Sequence, residues 1–245
     1  RMLLILFGRI GQFLLAFAGI RLATTLLTPA EMGRMALVLA ITSGFALTLV
    51  NPVGMFINRR LHAWEVLGRA SGYLALYWLY LTVVALASGT LIYVGVTLGV
   101  VKIDVALGWR VVLVCGSLIF NTINQTYIPS LNLLGHRGWF VWLTLATQLL
   151  GIAWAVILAT QSSANAENWL LGLLAGQLLV GLAGMKVFER KIGGTREKLF
   201  PIDALGRKYR VALFRFAWPV SIAVGLGWMQ NQSYRFFMND AAGLA

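Results

Sequence analysis

Long apolar runs, cut at intervals by short polar breaks, organise this chain from end to end. Runs of roughly 20 or more mostly apolar residues, the length needed to cross a bilayer, occur at Leu3–Leu27, Met35–Ile57, Ala70–Val96, Leu107–Leu134, Trp139–Thr160, Trp169–Phe188 and Val211–Met229. The breaks carry turn and charge signals: Thr28-Pro29-Ala30-Glu31, Asn58-Arg59-Arg60, Lys102-Ile103-Asp104, Gly135-His136-Arg137-Gly138 and Ser162-Ser163-Ala164-Asn165. The runs are too long and too uniformly apolar for outer-membrane strands, which are about ten residues long with polar residues at alternate positions. The pattern therefore predicts an all-α integral membrane protein, a polytopic helical bundle of about seven transmembrane helices. The first run lacks a small-residue cleavage site and reads as a retained helix.

Composition agrees, with 59% hydrophobic and 11% charged residues, against about 45–50% and 25% in soluble domains. A net charge of +12 would point to nucleic acid in a soluble chain, but here the basic residues cluster between apolar runs, so no nucleic-acid partner is expected. Their distribution predicts orientation instead. With the N-terminus in the cytoplasm, fifteen of the 20 Lys and Arg, among them Arg59, Arg60, Arg137 and the group from Lys186 to Arg215, fall at cytoplasmic ends.

One break differs from the rest. Glu189–Arg210 is polar and basic and contains Gly193-Gly194 and Pro201, which reads as a linker between two membrane units. The expected organisation is a first six-helix bundle over residues 1–188, a basic cytoplasmic linker over 189–210, and the opening helix of a second bundle over 211–245. In the sixth run Gly172 and Gly176 stand four apart, with Gly181 and Gly184 beyond, the spacing of close helix packing.

Polar side chains at membrane depth are costly unless they meet a partner or a wet cavity. Ser117, Asn121, Asn124, Gln125 and Asn132 in the fourth run share one helical face, and Pro129 nearby frees a backbone carbonyl. Amides both donate and accept, so this face suits a hydroxyl-rich ligand; interhelical hydrogen bonding is the alternative. Arg9 and Gln12 in the first run, beside Gly8, Gly11 and Gly19, and Arg215 at the start of the seventh enter from the same side at similar depth. Two guanidinium groups there would suit a diphosphate, the alternative being snorkelling to the interface. Tyr73, Tyr77 and Tyr80 fit an aromatic belt or a platform for sugar rings.

Catalytic and metal chemistry find little support. His62 and His136 lie in different breaks, the single Cys115 has no partner for a disulfide, and no nucleophile motif, phosphate loop or metal-ligand spacing occurs. No cofactor is expected, and an enzyme is disfavoured.

The segments Gly8-Arg9-Ile10-Gly11-Gln12 and Arg21-Leu22-Ala23-Thr24-Thr25-Leu26-Leu27-Thr28-Pro29-Ala30-Glu31-Met32-Gly33 resemble the opening of the bacterial polysaccharide (O-antigen type) flippases, within the multidrug/oligosaccharidyl-lipid/polysaccharide exporter superfamily. Leu131-Asn132-Leu133-Leu134-Gly135-His136-Arg137, Phe216-Ala217-Trp218-Pro219-Val220-Ser221 and Tyr234-Arg235 are similar to that family's pattern too. Ser233-Tyr234 stand where the family often has an acidic residue before the later arginine. The resemblance implies the first half of a two-bundle transporter in the bacterial cytoplasmic membrane, working by alternating access on a polyprenyl-diphosphate-linked oligosaccharide. Arg9, Gln12, Asn121, Asn124, Gln125 and Arg215 become the expected substrate contacts. A multidrug exporter of the same superfamily and a polytopic glycosyl or acyl transferase remain the alternatives.

Overall fold

A computed structural model of the chain describes residues 2–67, 70–98, 107–192 and 207–241, and every regular element among them is helical. Helix α1 (Met2–Leu26) stops before Pro29, whose ring disfavours helical backbone in the residue ahead of it. Thr28 takes up that extended conformation (φ −71°, ψ 159°) and its hydroxyl accepts the Glu31 N–H at 3.3 Å, so the same three residues that end α1 start α2 (Pro29–Phe45). A π-helical turn, Ala46–Val50, joins α2 to α3 (Asn51–Val66) without a break. Together they form a rod of 38 residues, Pro29–Val66, about 57 Å long at 1.5 Å per residue.

This rod corrects one expected boundary. The helix does not end at Ile57 but runs through Asn58-Arg59-Arg60 to Val66. Between Met55 and Val66 there is neither Gly nor Pro, and Arg, Leu, Ala and Glu are good helix formers. Charge ends an apolar run without ending a helix. Because the hydrocarbon slab is only about 30 Å thick, a rod of this length reaches beyond it.

Helix α4 (Ala70–Thr97) and α5 (Leu107–Leu133) follow; the expected break at Lys102-Ile103-Asp104 lies outside the described residues. After α5 the chain reverses at Gly135, whose φ of +86° suits a residue without a Cβ. The His136 N–H bonds to Leu131 O at 2.8 Å and the Gly135 N–H to Asn132 O at 3.1 Å, a Schellman ending that satisfies the last carbonyls. Next come α6 (Arg137–Gln161) and α7 (Ala166–Ile192), the latter capped by Asn165, whose side-chain oxygen accepts the Asn168 N–H at 2.9 Å. Glu31 adds a cap from the start of α2: one carboxylate oxygen accepts the Ala166 N–H at 2.8 Å and the other pairs with Arg34 at 2.7 Å. Of the expected linker 189–210, residues 189–192 close α7 and 207–210 open α8 (Arg207–Ala241); the part between lies outside the described residues.

Glycine sets the closest contacts. A Cβ on Gly172 or Gly176 would run into the backbone of Ala155 or Gly151, so α6 and α7 pack main chain to main chain, as their spacing predicted. Gly8, Gly11 and Gly19 likewise let α1 lie against Val141, Leu145 and Ile152 of α6. Helix α5 occupies the middle of the bundle, with Leu113, Leu118 and Leu131 fully buried. On the other flank α8 docks along the rod. The Trp228 indole donates to Ala40 O at 3.0 Å and Ser43 Oγ at 3.1 Å, while Phe56 meets Tyr209 and Phe216, each at 5.7 Å between ring centroids.

Large apolar side chains such as Leu3, Phe13, Leu86 and Phe214 are more than half exposed around the perimeter. In water that surface would be an aggregation hazard; in a bilayer it is the solvent-facing surface.

Candidate solute cavity

The π turn has a local cause. Pro52 has no N–H to offer the Thr48 carbonyl, and its ring crowds that oxygen. The helix accommodates it by widening: the Asn51 N–H reaches five residues back to Ala46 O, and Tyr80 on α4 donates its hydroxyl to Leu49 O at 2.7 Å. Widened turns of this kind mark functional sites in many helices, and irregular backbone at membrane depth is tolerated where it lines a cavity.

Such a cavity lies beside the turn. It has a volume of about 400 Å³, within the range of ligand pockets, about 300–1,000 Å³. The rod contributes Thr42, Ser43, Asn51 and Asn58, α4 contributes Tyr77, α5 contributes Ser117, Asn121 and Gln125, and α7 contributes Gln177. Asn51, Asn121 and Gln177 stand near the middle of their apolar spans, and Asn58 extends the lining toward the Arg59-Arg60 end of the rod. Among the described residues no Asp, Glu, Lys, Arg or His lines it. Its polarity is that of neutral amides and hydroxyls.

Several of these groups have bonding capacity left over. Gln125 donates its amide to Asn121 Oδ1 at 3.2 Å, which leaves the Asn121 amide N–H groups and the Gln125 carbonyl oxygen for a ligand. Gln177 Oε1 is buried without a donor. The backbone oxygen of Gln125 stands four residues before Pro129, which interrupts the hydrogen-bond ladder there while α5 stays continuous.

The fourth-run face divides between two roles. Ser117, Asn121 and Gln125 open into the cavity, whereas Asn124 turns into the packing between helices. Its amide donates to Gln177 O and to Phe120 O (3.2 Å), and its oxygen accepts from the Thr147 hydroxyl on α6 at 3.0 Å. Asn124 thus joins α5, α6 and α7.

Arg9, Gln12 and Arg215 are absent from the cavity lining. Arg9 is exposed on α1 and donates to Gln12 Oε1 at 3.3 Å. Arg215 is exposed on α8 in a separate surface recess. Their helices pack on different partners, α1 on α6 and α8 on the rod. The expected aromatic belt also changes place: Tyr73 and Tyr77 are buried, Tyr73 stacking on Trp64 at 4.0 Å and Tyr77 facing the cavity.

Sequence reasoning passed over Asn51, Asn58 and Gln177. The available signal was Asn51-Pro52 in the middle of an apolar run, a breaker where no turn follows, and a lone glutamine at the centre of the sixth. Among the described residues no group of three or more His, Cys, Asp or Glu could hold a metal ion.

Among the described residues, seven helices long and apolar enough to cross a membrane, packed through glycine contacts around a polar chamber, make this chain an all-α, multi-pass membrane protein. No family model matches it, and neither a curated protein nor a solved structure matches it.

Proposed function

We propose that the chain is a transporter whose cargo passes through the amide-lined cavity, and that the cargo is a polyprenyl-diphosphate-linked oligosaccharide. The observation that carries this reading is the cavity itself. It is neutral, rich in groups that both donate and accept, built on residues near the middle of three apolar spans, and bordered by a helix with an irregular turn, the arrangement in which transporters hold solutes. Sugar hydroxyls match such a lining, because each can donate to one amide oxygen and accept from another amide N–H. Among the described residues no charged group stands there to select an ion or to start proton-transfer chemistry, which favours transport over an enzyme. Alternating access would bend the rod at Ala46–Val50 against α4 and α5, with the N-terminus on the cytoplasmic side and residues 1–188 forming the first of two bundles.

The test uses the full-length protein in proteoliposomes with a fluorescent polyprenyl-diphosphate oligosaccharide, scored by an impermeant glycosidase. Wild type should move substrate faster than protein-free vesicles. Replacing Asn121 and Gln125 together by Ala should slow it about tenfold, the equivalent of about 1.4 kcal/mol of lost ligand hydrogen bonds. An unchanged rate in that variant would remove the cavity from the pathway.

A further inference from the structure

The outward face of α8 carries a second feature that the cavity does not use. Arg210, Val211, Phe214, Arg215 and Trp218 fall on one stripe of the helix and border a surface recess of about 440 Å³. The opposite stripe, with Tyr209, Leu213 and Phe216, packs into the bundle. The recess wall is apolar: Phe214 and Trp218 stack with centroids 6.5 Å apart and planes 11° from parallel, and both are at least half exposed.

Among the described residues the charges at its edge are unmatched. Arg210 and Arg215 are exposed, and neither makes a hydrogen bond or ion pair among the described residues. Arg59 and Arg60 add positive charge at the same end, lying over the Phe216 and Phe56 rings at 4.8 and 4.4 Å. Glu65, the one carboxylate on α3, is held by His62 at 3.3 Å, and α8 carries none before Asp240 at its far end. Arg215 stands inside the span Tyr209–Arg235, where an unneutralised cation is costly.

We propose that this recess binds an anionic phospholipid of the surrounding leaflet. Arg210 and Arg215 grip its phosphodiester through their planar donor forks, and one acyl chain lies along Val211, Phe214 and Trp218. A phosphate supplies the missing counter-charge, and the apolar wall has no use for a soluble anion. Basic groups at a span's edge are attracted to anionic lipid, and tryptophan settles at headgroup depth. The site stands apart from the cavity and does not depend on the identity of the cargo.

The experiment titrates full-length protein in uncharged detergent with phosphatidylglycerol, phosphatidylcholine or inorganic phosphate, following Tm and, by native mass spectrometry, retained lipid and oligomeric state. Phosphatidylglycerol should raise Tm by about 3–6 °C and remain bound, while the other two leave both readings unchanged. R210Q/R215Q should keep the lipid-free Tm and lose the phosphatidylglycerol response; R210K/R215K should retain part of it. An equal response to phosphatidylcholine, or an undiminished one in R210Q/R215Q, would overturn the proposal. A response to phosphate alone would overturn the acyl-chain seat. Displacement of the lipid by equimolar polyprenyl diphosphate would give the recess to the cargo instead, and dimers lost in R210Q/R215Q would give it to a second copy of the chain.

Discussion

Asn124 and Gln125 are adjacent amides on the same helix, yet the structure gives them opposite consequences when they are removed. Asn124→Ala deletes two hydrogen bonds between helices, one to the Gln177 carbonyl on α7 and one from Thr147 on α6. At about 0.6 kcal/mol for each such bond within a membrane, the loss is about 1.2 kcal/mol. Thr147 is not stranded by the change, because its hydroxyl also reaches Leu143 O at 2.8 Å, so no large penalty for an orphaned group is added. The void left in the close packing near Gly181, where a Cβ would meet the Asn124 amide at 3.0 Å, brings the expected total to roughly 2 kcal/mol. Gln125 is exposed to the cavity and bonded to Asn121 alone, so Gln125→Ala should change stability by less than about 0.5 kcal/mol. Equilibrium unfolding by SDS in mixed micelles, or steric trapping in bicelles, measures both. If Gln125→Ala cost more than Asn124→Ala, the division of this face into a packing amide and a ligand amide would be wrong.

Other expectations follow from packing and charge. Gly172→Val should abolish the α6–α7 contact and the yield of monodisperse protein, since its side chain would have to occupy the Ala155 backbone position, whereas Gly33→Ala, with nothing within 4 Å, should be neutral or slightly stabilising; size-exclusion profiles from matched expression compare them. Single cysteines at Ala63 and Ser163, both exposed and at opposite membrane ends, should label differently in a Cys115-free background, with only position 163 reached by an impermeant thiol reagent from outside. Labelling of position 63 alone would reverse the proposed orientation.

The class of the protein was legible in the sequence because lipid imposes a constraint that needs no tertiary information: each span must satisfy its backbone internally and show apolar side chains over roughly 20 residues. For the same reason the turns at Thr28-Pro29 and Gly135, and the glycine seam at Gly172 and Gly176, could be read from local chemistry. Helical spacing also brought Ser117, Asn121 and Gln125 to one face. What the spacing could not decide is what that face meets. Asn124 lies only one residue from Gln125, and the choice between a neighbouring carbonyl and an open chamber depends on where α6 and α7 approach. The cavity draws on four segments far apart in the chain, from Leu39 to Gln177, so its existence is a property of the packing. Arg9 and Arg215 show the limit most clearly. Their places near the start of the first and seventh runs were readable along the chain, but which way each points around its helix axis is decided by the helices that pack beside it. Hydropathy reports distance through a membrane, and only packing distinguishes a bundle's interior from its lipid-facing side.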